Sequence, residues 1–387
     1  MRYLPLRYPV RNLTERLSSS LLTMLGIALV VFTFIAVMAM ADGIRGSFTR
    51  AGSDRNVILL RHGATAETAS AVGHDLVPAI RVLPGIALGA DGRELASPEL
   101  LVQCLMRRRE GTRVNVALRG VLPVAYALRD ELRVTEGRLP RAGTNEVLVG
   151  ASLARSFTGL SVGKSFAIGR LVVQVVGHME AAGSSLESEI WIDHDRVAVE
   201  YRRDQYSSVR VRMQSAARVP ELVARVSGDA RIQLEAVPEP QYYASLENGA
   251  TEVRGLGLLM AFFMGCAAVF GAMNTMYQAV AGRTRELATL RALGFTRRAV
   301  LVAIMCEALA LCGLGGVVGA LLAAPLSGWE LSTVNVKSLT EVGYRLQVGP
   351  ALVAEAIALS LVLGVIGGVL PAWQSTRIRL VDALREV

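Results

Sequence analysis

Residues 158–169, TGLSVGKSFAIG, bring together Gly159, Gly163, Lys164 and Ser165, the residue types that bind phosphate. A P-loop needs Gly, four residues, Gly, Lys and then Ser or Thr, between a buried strand and a helix. Backbone N–H groups then wrap the phosphates while the Lys reaches the terminal one. Only three residues separate Gly159 from Gly163, one short of that cradle. The following SFAIGRLVVQVVGHM is apolar and β-branched with Gly-Arg at its bend, the pattern of a hairpin. The stretch reads as a turn between strands. Asp193-His194-Asp195 has metal-ligand residue types, but neighbours on a strand point to opposite faces and do not converge. His62, His74 and His178 are scattered, and H-E-x-x-H does not occur. Cys266, Cys306 and Cys312 lie in apolar runs and Cys104 stands apart, so no disulfide framework or zinc site is implied. Glu307 is a carboxylate deep in an apolar run, by default a candidate proton site. No chain of acids accompanies it, which favours a structural polar contact.

The elements that carry these residues are set by hydropathy. Of 387 residues 52% are hydrophobic and only 19% charged, with mean hydropathy +0.41. That balance indicates a membrane protein with a sizeable polar part. The net charge of +8 comes with 5% aromatics and no nucleic-acid-binding signature, so nucleic acid is not an expected partner. Four runs are long enough for a hydrocarbon core of about 30 Å, which takes roughly 20 helical residues. They are 20–41, 255–280, 299–326 and 351–373. The first also resembles a secretory signal ending in Ala39-Met40-Ala41, but its length favours an uncleaved anchor.

Arginines in the short segments orient the chain. Arg2, Arg7, Arg11 and Arg16 precede the first span, Arg283, Arg285, Arg291, Arg297 and Arg298 lie between the second and third, and Arg377, Arg379 and Arg385 follow the fourth. The expected arrangement is therefore a cytoplasmic segment 1–19, an external domain 42–254, a cytoplasmic link 281–298, an external loop 327–350 and a cytoplasmic tail 374–387. The external part alternates strand-like runs, such as NVILLR (56–61), RVNVALRGV (113–121) and YSSVRVRM (206–213), with helical patches at 151–160 and 220–227. The fold class is four transmembrane α-helices with a mixed α+β extracytoplasmic domain inserted between helices one and two. Gly315 and Gly319, and Gly364 and Gly368, have GxxxG spacing and mark faces for close helix packing.

The link RTRELATLRALGFTRRAV (283–300) carries Leu287, Leu290 and Leu293 at spacing three, with Arg283, Arg285, Glu286 and Arg291 around them. Gly294 is placed as a left-handed C′ residue, Phe295 can fold back on Leu290, and Thr296 can cap the next helix. A short amphipathic helix is expected there, either as an interfacial anchor or as a docking helix for a cytoplasmic partner. VRNLTERL (10–17) is a second amphipathic piece, with Val10, Leu13 and Leu17 on one face.

Three stretches together resemble the FtsX-like (MacB-type) permease family of ABC transporters. They are 283–322, with Arg-x-Arg-Glu, Arg-Ala-Leu-Gly and the helix Glu; EGRLPRAGTNEVLVGASLARSFTGLSVGKSF (136–166), similar to the periplasmic core domain; and PAWQSTRIRLVDALRE (371–386), similar to the tail. The resemblance implies a bacterial inner-membrane permease with no catalytic residues and no cofactor of its own. It implies a coupling helix at 283–293 that docks an ATP-binding subunit, which supplies ATP and magnesium. About 19 residues precede the first span, whereas MacB itself carries its ATPase fused ahead of that span, so a separate ATPase chain is expected. A second permease copy, in a homodimer or related heterodimer, is implied, and a membrane-fusion protein is a further partner the family allows. Mechanotransmission through a stalk at ADGIRGSFTR and about 240–256 would drive export or extraction of a substrate. The alternatives are a transducer that regulates an external wall hydrolase and an ion-coupled transporter using Glu307. Replacing Glu286 or Leu290 with Arg is expected to uncouple ATPase from transport.

Overall fold

The structure is a computed structural model that describes residues 17–229 and 233–376. Most of the amphipathic piece 10–17, the arginines ahead of the first span and the tail arginines fall outside the described residues. The chain divides into two compact units. One holds the chain up to Ala41, Glu252–Trp329 and the chain from Leu346; the other holds Asp42–Thr251 and Glu330–Arg345.

Among the described residues, four helices are long and apolar enough to cross a membrane: α1 (Leu17–Thr49), α8 (Asn248–Ala281), α10 (Arg297–Ala323) and α11 (Pro350–Ser375). At 1.5 Å per residue, α1 and α8 are about 50 Å long, against a hydrocarbon core of about 30 Å. Hydropathy ends the first span near Ala41, but no proline or cap follows, so the helix runs on through the polar stretch to Thr49. A short helix, α9 (Thr284–Ala292), lies between α8 and α10.

Glycine lets the spans approach closely. A Cβ on Gly315 would meet Ile27 Cβ and the Met24 carbonyl of α1 at 2.9 Å, and one on Gly319 would meet Val31 at 2.9 Å. Gly364 and Gly368 sit against Cys312 and Ala308 of α10, where added methyl groups would come to 2.9 and 2.8 Å. Apolar side chains have no advantage over lipid tails in driving this association, so close contact between helix backbones supplies it.

The other unit is built on a ten-stranded mixed sheet in the order β10-β1-β9-β2-β3-β8-β5-β7-β4, with β6 beside β7. The strands are β1 (Asn56–Arg61), β2 (Ala96–Arg107), β3 (Arg113–Val121), β4 (Arg133–Gly137), β5 (Glu146–Gly150), β6 (Ser165–Ile168), β7 (Leu171–Glu180), β8 (Glu189–Asp193), β9 (Ser208–Arg212) and β10 (Leu234–Pro238). Its helices are α2 (Leu76–Arg81), α3 (Val124–Ala127), α4 (Ala151–Ser156), α5 (His194–Tyr201), α6 (Val219–Gly228) and α7 (Glu239–Leu246). One face is conventional. Val57, Val209 and Val211 pack with Ile80 of α2 and Leu222 of α6, while Leu118, Val149 and Ile190 pack with Leu153 of α4 and Val197 of α5.

The opposite face buries charge. Side chains alternate along a strand, so Glu99, Arg119, Glu189 and Arg210 all point to this second face. The Arg119 guanidinium lies 3.0 Å from Glu67, 2.8 Å from Glu99 and 2.7 Å from Glu189. Glu99 also meets Arg129 at 2.7 Å and Arg210 at 3.2 Å. Arg210 reaches Glu239 of α7 at 2.8 Å. Trp191 closes the network, donating its indole N–H to Glu189 under the Arg129 guanidinium, 4.5 Å from the ring centre. Burial pushes the Glu67 carboxyl up, but Arg119 and Arg210 outweigh it and hold it below the usual range. For Glu189 and Glu239 burial prevails and holds both above it. Four carboxylates facing three guanidinium groups account for that split.

A last strand pair, β11 (Glu330–Val334) and β12 (Glu341–Arg345), forms an antiparallel hairpin that belongs to this unit, where the sequence suggests only a loop.

Two predictions follow from this face. Arg119→Ala leaves three buried carboxylates without their shared partner and is expected to cost about 3–5 kcal/mol, read as a lowered urea midpoint of the full-length protein. Burial, together with Glu239 and Asp130, raises the Glu131 carboxyl to about 7. Its folded value thus exceeds its unfolded one, so stability falls as pH rises through the window between the ordinary carboxylate range and about 7. Glu131→Gln should flatten that decline in thermal-unfolding scans and stabilise the protein at pH 8 relative to wild type.

Candidate coupling site

Helix α9 is delimited by its sequence. Glu286 in the first turn and Arg291 in the last complement the helix dipole. The helix ends in a Schellman motif: Gly294 has φ +94°, its N–H donates to the Arg291 carbonyl at 3.1 Å, and the Phe295 N–H donates to Leu290 at 3.2 Å. Thr296 then caps α10, accepting from the Ala299 N–H. Together these turn the chain sharply from α9 into the third span.

The leucine ridge divides. Leu287 is 7% exposed, Leu290 is half-buried and Leu293 is 64% exposed. Spacing three falls short of a 3.6-residue turn by about 60°, so two such steps carry Leu293 about 120° away from Leu287. Leu287 joins Met276 of α8, Val300 and Ile304 of α10 and Ala372 of α11 in one apolar cluster. The opposite side of α9 presents Arg285, Glu286, Thr289, Ala292 and Leu293 to solvent.

Two of the singled-out residues meet. Arg283, immediately ahead of α9, lies 3.5 Å from Glu307 inside α10, and both side chains are 11% exposed. They line a cavity whose other walls are apolar, among them Val280, Leu290 and Ile304. A charge at that depth is retained by pairing, so Glu307 makes a structural ion pair with the link. Arg291 ties the other end of α9 to the end of α11 through the Thr376 carbonyl at 3.5 Å. Sequence reasoning had both members of the Arg283–Glu307 pair but not the pairing, which depends on the turn at Gly294. The Thr23–Thr275 hydrogen bond between α1 and α8, 2.7 Å, left no sequence signal beyond two hydroxyls in apolar runs.

The remaining candidates are placed elsewhere. Gly159 and Gly163 have φ of +84° and +86° in a turn leading into β6, with no helix after it. Asp193, the last residue of β8, caps α5 by accepting from the Asp195 N–H, so Asp193-His194-Asp195 is a strand-to-helix junction and does not lie along one strand. Among the described residues, no group of three His, Cys, Asp or Glu could hold a metal ion.

Arg283 and Glu307 are expected to be energetically coupled. Arg283→Met and Glu307→Gln should each lower thermal stability in lipid nanodiscs, and the double variant should lose less than the two losses added, by about 0.5–3 kcal/mol. Strict additivity would show that the pair does not interact.

Two family models cover most of the chain. The MacB-like periplasmic core domain matches residues 20–228, more than half of the chain, and the FtsX-like permease C-terminal model matches 258–380. The chain is 26% identical over 402 residues to the macrolide export ATP-binding/permease protein MacB of Rhodospirillum rubrum, covering 97% of this chain and 59% of that protein. A MacB of Brucella melitensis is 24% identical, and the chain covers 58% of it. The chain thus spans well under two thirds of these curated relatives. It is also 24% identical to the uncharacterized ABC transporter permease YvrN of Bacillus subtilis over 95% of each protein. The extracellular domain of the noncanonic ABC-type transporter YknZ covers 47% of this chain at 15% identity and a TM-score of 0.37. Four membrane helices, the domain between the first and second, and the family models that match both parts make this chain a member of the MacB-like, FtsX-type permease family.

Proposed function

We propose that the chain is the permease subunit of an ABC transporter that converts ATP hydrolysis on an ATP-binding subunit into movement of its external domain. The observation that carries this is α9, whose inner side is fixed to three membrane helices while its outer side is exposed to solvent. A docking helix needs both properties: a surface for the partner and a stiff connection to what it moves. Arg285, Glu286 and Leu293 supply that surface, with the charge and apolar area a groove can recognise.

The arginine distribution supports cytoplasmic termini and a cytoplasmic α9, with the mixed domain outside the membrane. ATP and magnesium would be held by the ATP-binding subunit. A second permease copy is the expected assembly partner, and export or extraction of an envelope substrate the expected outcome. The long outward continuation of α1, together with α7 and the start of α8, would serve as the stalk. The Arg283–Glu307 pair argues against ion coupling through Glu307, because protonation would have to break it.

The test is capture of the ATP-binding subunit by the tagged, full-length chain from bacterial membranes. Glu286→Arg and Leu293→Asp are each expected to lower capture at least about tenfold, a loss of about 1.4 kcal/mol, with membrane insertion unchanged. Leu293 is the better apolar target because Leu290 lines the inner cavity. Capture equal to wild type in both variants would remove the docking role of α9.

A further inference from the structure

The hairpin β11–β12 leaves the membrane unit through short connectors, 327–329 after the third span and 346–349 before the fourth. It is nevertheless built into the fold of the external domain. Arg108, just after β2, holds Glu341 and Ser332 of the hairpin. Arg155 of α4 pairs with Glu330 at 2.6 Å, and Glu330 pairs across the hairpin with Arg345 at 2.8 Å. Ser188 accepts the Gly343 N–H at 2.7 Å, and Gln103 donates to the Ser338 carbonyl at 2.6 Å. At the tip, Asn335 donates to the Leu246 carbonyl at the end of α7, 2.9 Å away.

We infer that this hairpin is a permanent clamp, a third mechanical connection that carries displacement of the third and fourth helices into the external domain. A two-stranded hairpin alone is marginal in water. This one buries Glu341, Val342 and Tyr344, and a buried carboxylate released from Arg108 would have to be rehydrated. Docking is therefore what gives the hairpin its structure, and it moves with the domain as one body. A domain tethered only through α1 and α8 would respond to those helices alone. With the clamp, a shift of α10 or α11, both tied to α9, reaches the same sheet by a separate route. The docking stands on its own contacts, and only its consequence rests on the transmission role proposed above.

The experiment uses the full-length chain in nanodiscs and has two arms. In hydrogen–deuterium exchange, residues 330–345 should be protected like the neighbouring sheet and should exchange at least about 100-fold faster in Arg108→Ala/Arg155→Ala. A hairpin that exchanges like a surface loop in wild type, or protection unchanged in the double variant, overturns the clamp. The second arm locks the hairpin with Ser152→Cys/Gly343→Cys, since a Cβ at 343 would lie 3.2 Å from that of Ser152, a few tenths of an ångström short of the usual disulfide spacing of about 3.5–4.5 Å and so bridged after a small shift. In complex with the captured ATP-binding subunit, the oxidised protein should keep its ATPase rate within about twofold of the reduced form. A large loss restored by reductant shows that the hairpin must release, which overturns the proposal. If the wild-type chain captures no ATP-binding subunit, the docking role of α9 fails, while the exchange arm still decides the clamp.

Discussion

Arg119 and the carboxylates around it set the geometry of the external unit. The network draws on strands far apart in sequence and also on the two segments where the chain enters and leaves the domain. Glu239, the first residue of α7, faces Arg210 and accepts from the Ser53 N–H and the Asn56 side chain, just beyond the end of α1. Tyr242, one turn further along α7, accepts from the Glu67 N–H. An apolar face would hold these segments against the sheet but tolerate sliding. Guanidinium–carboxylate contacts have a fixed direction and, once buried, leave no alternative partner within reach. The cost in desolvation is met by sharing: Glu99 faces three arginines and Arg119 faces three glutamates.

The membrane unit is held by a different kind of contact. Lipid tails are as apolar as leucine, so its helices associate by shape, with glycines of α10 on α1 and glycines of α11 on α10. A buried ion pair lies beside α9, where Arg283 meets Glu307. That placement joins the link to the third helix at a depth where water cannot compete effectively for either partner. Leu287 joins it to three helices by packing. A force applied to α9 is thus divided over several helices instead of bending one connection.

Much of this was legible in the sequence because it is local. Hydropathy marks the four spans, the Gly-Phe-Thr order after Leu293 encodes the turn out of α9, and period-two alternation gives strands such as 113–121. The sequence similarly marks Gly159 to Ser165 as a turn, one residue short of a phosphate cradle. The rest was hidden for physical reasons. VRVR in β9 looks like a half-exposed strand, since alternating arginines ordinarily face water. Here Glu67, Glu99 and Glu239 cover Arg210, and Asn56, Asp130 and the Leu128 carbonyl cover Arg212, all from other parts of the chain. Hydropathy also cannot see that a helix continues past the lipid, because polarity ends the span but not the hydrogen-bonding pattern. The hairpin 330–345 was missed because its strands are short and polar, and because its register is stabilised by Arg108 and Arg155, which lie in a different part of the sequence.

Stiffness connects these observations. Helices transmit displacement along their length when their ends are anchored, and a loose joint at either end would dissipate it. At one end, α9 is anchored by an ion pair, a hydrogen bond to a carbonyl and an apolar cluster, which together reach α8, α10 and α11. In the external unit, α7 is anchored by charges buried against a sheet whose other face is packed by four helices. The hairpin adds anchorage of the same kind, with arginines on the domain holding carboxylates on the hairpin. Apolar packing accordingly sets how close the elements lie, and paired charge at the junctions sets their direction. Rigid transmission needs both, because close packing alone permits rotation and sliding.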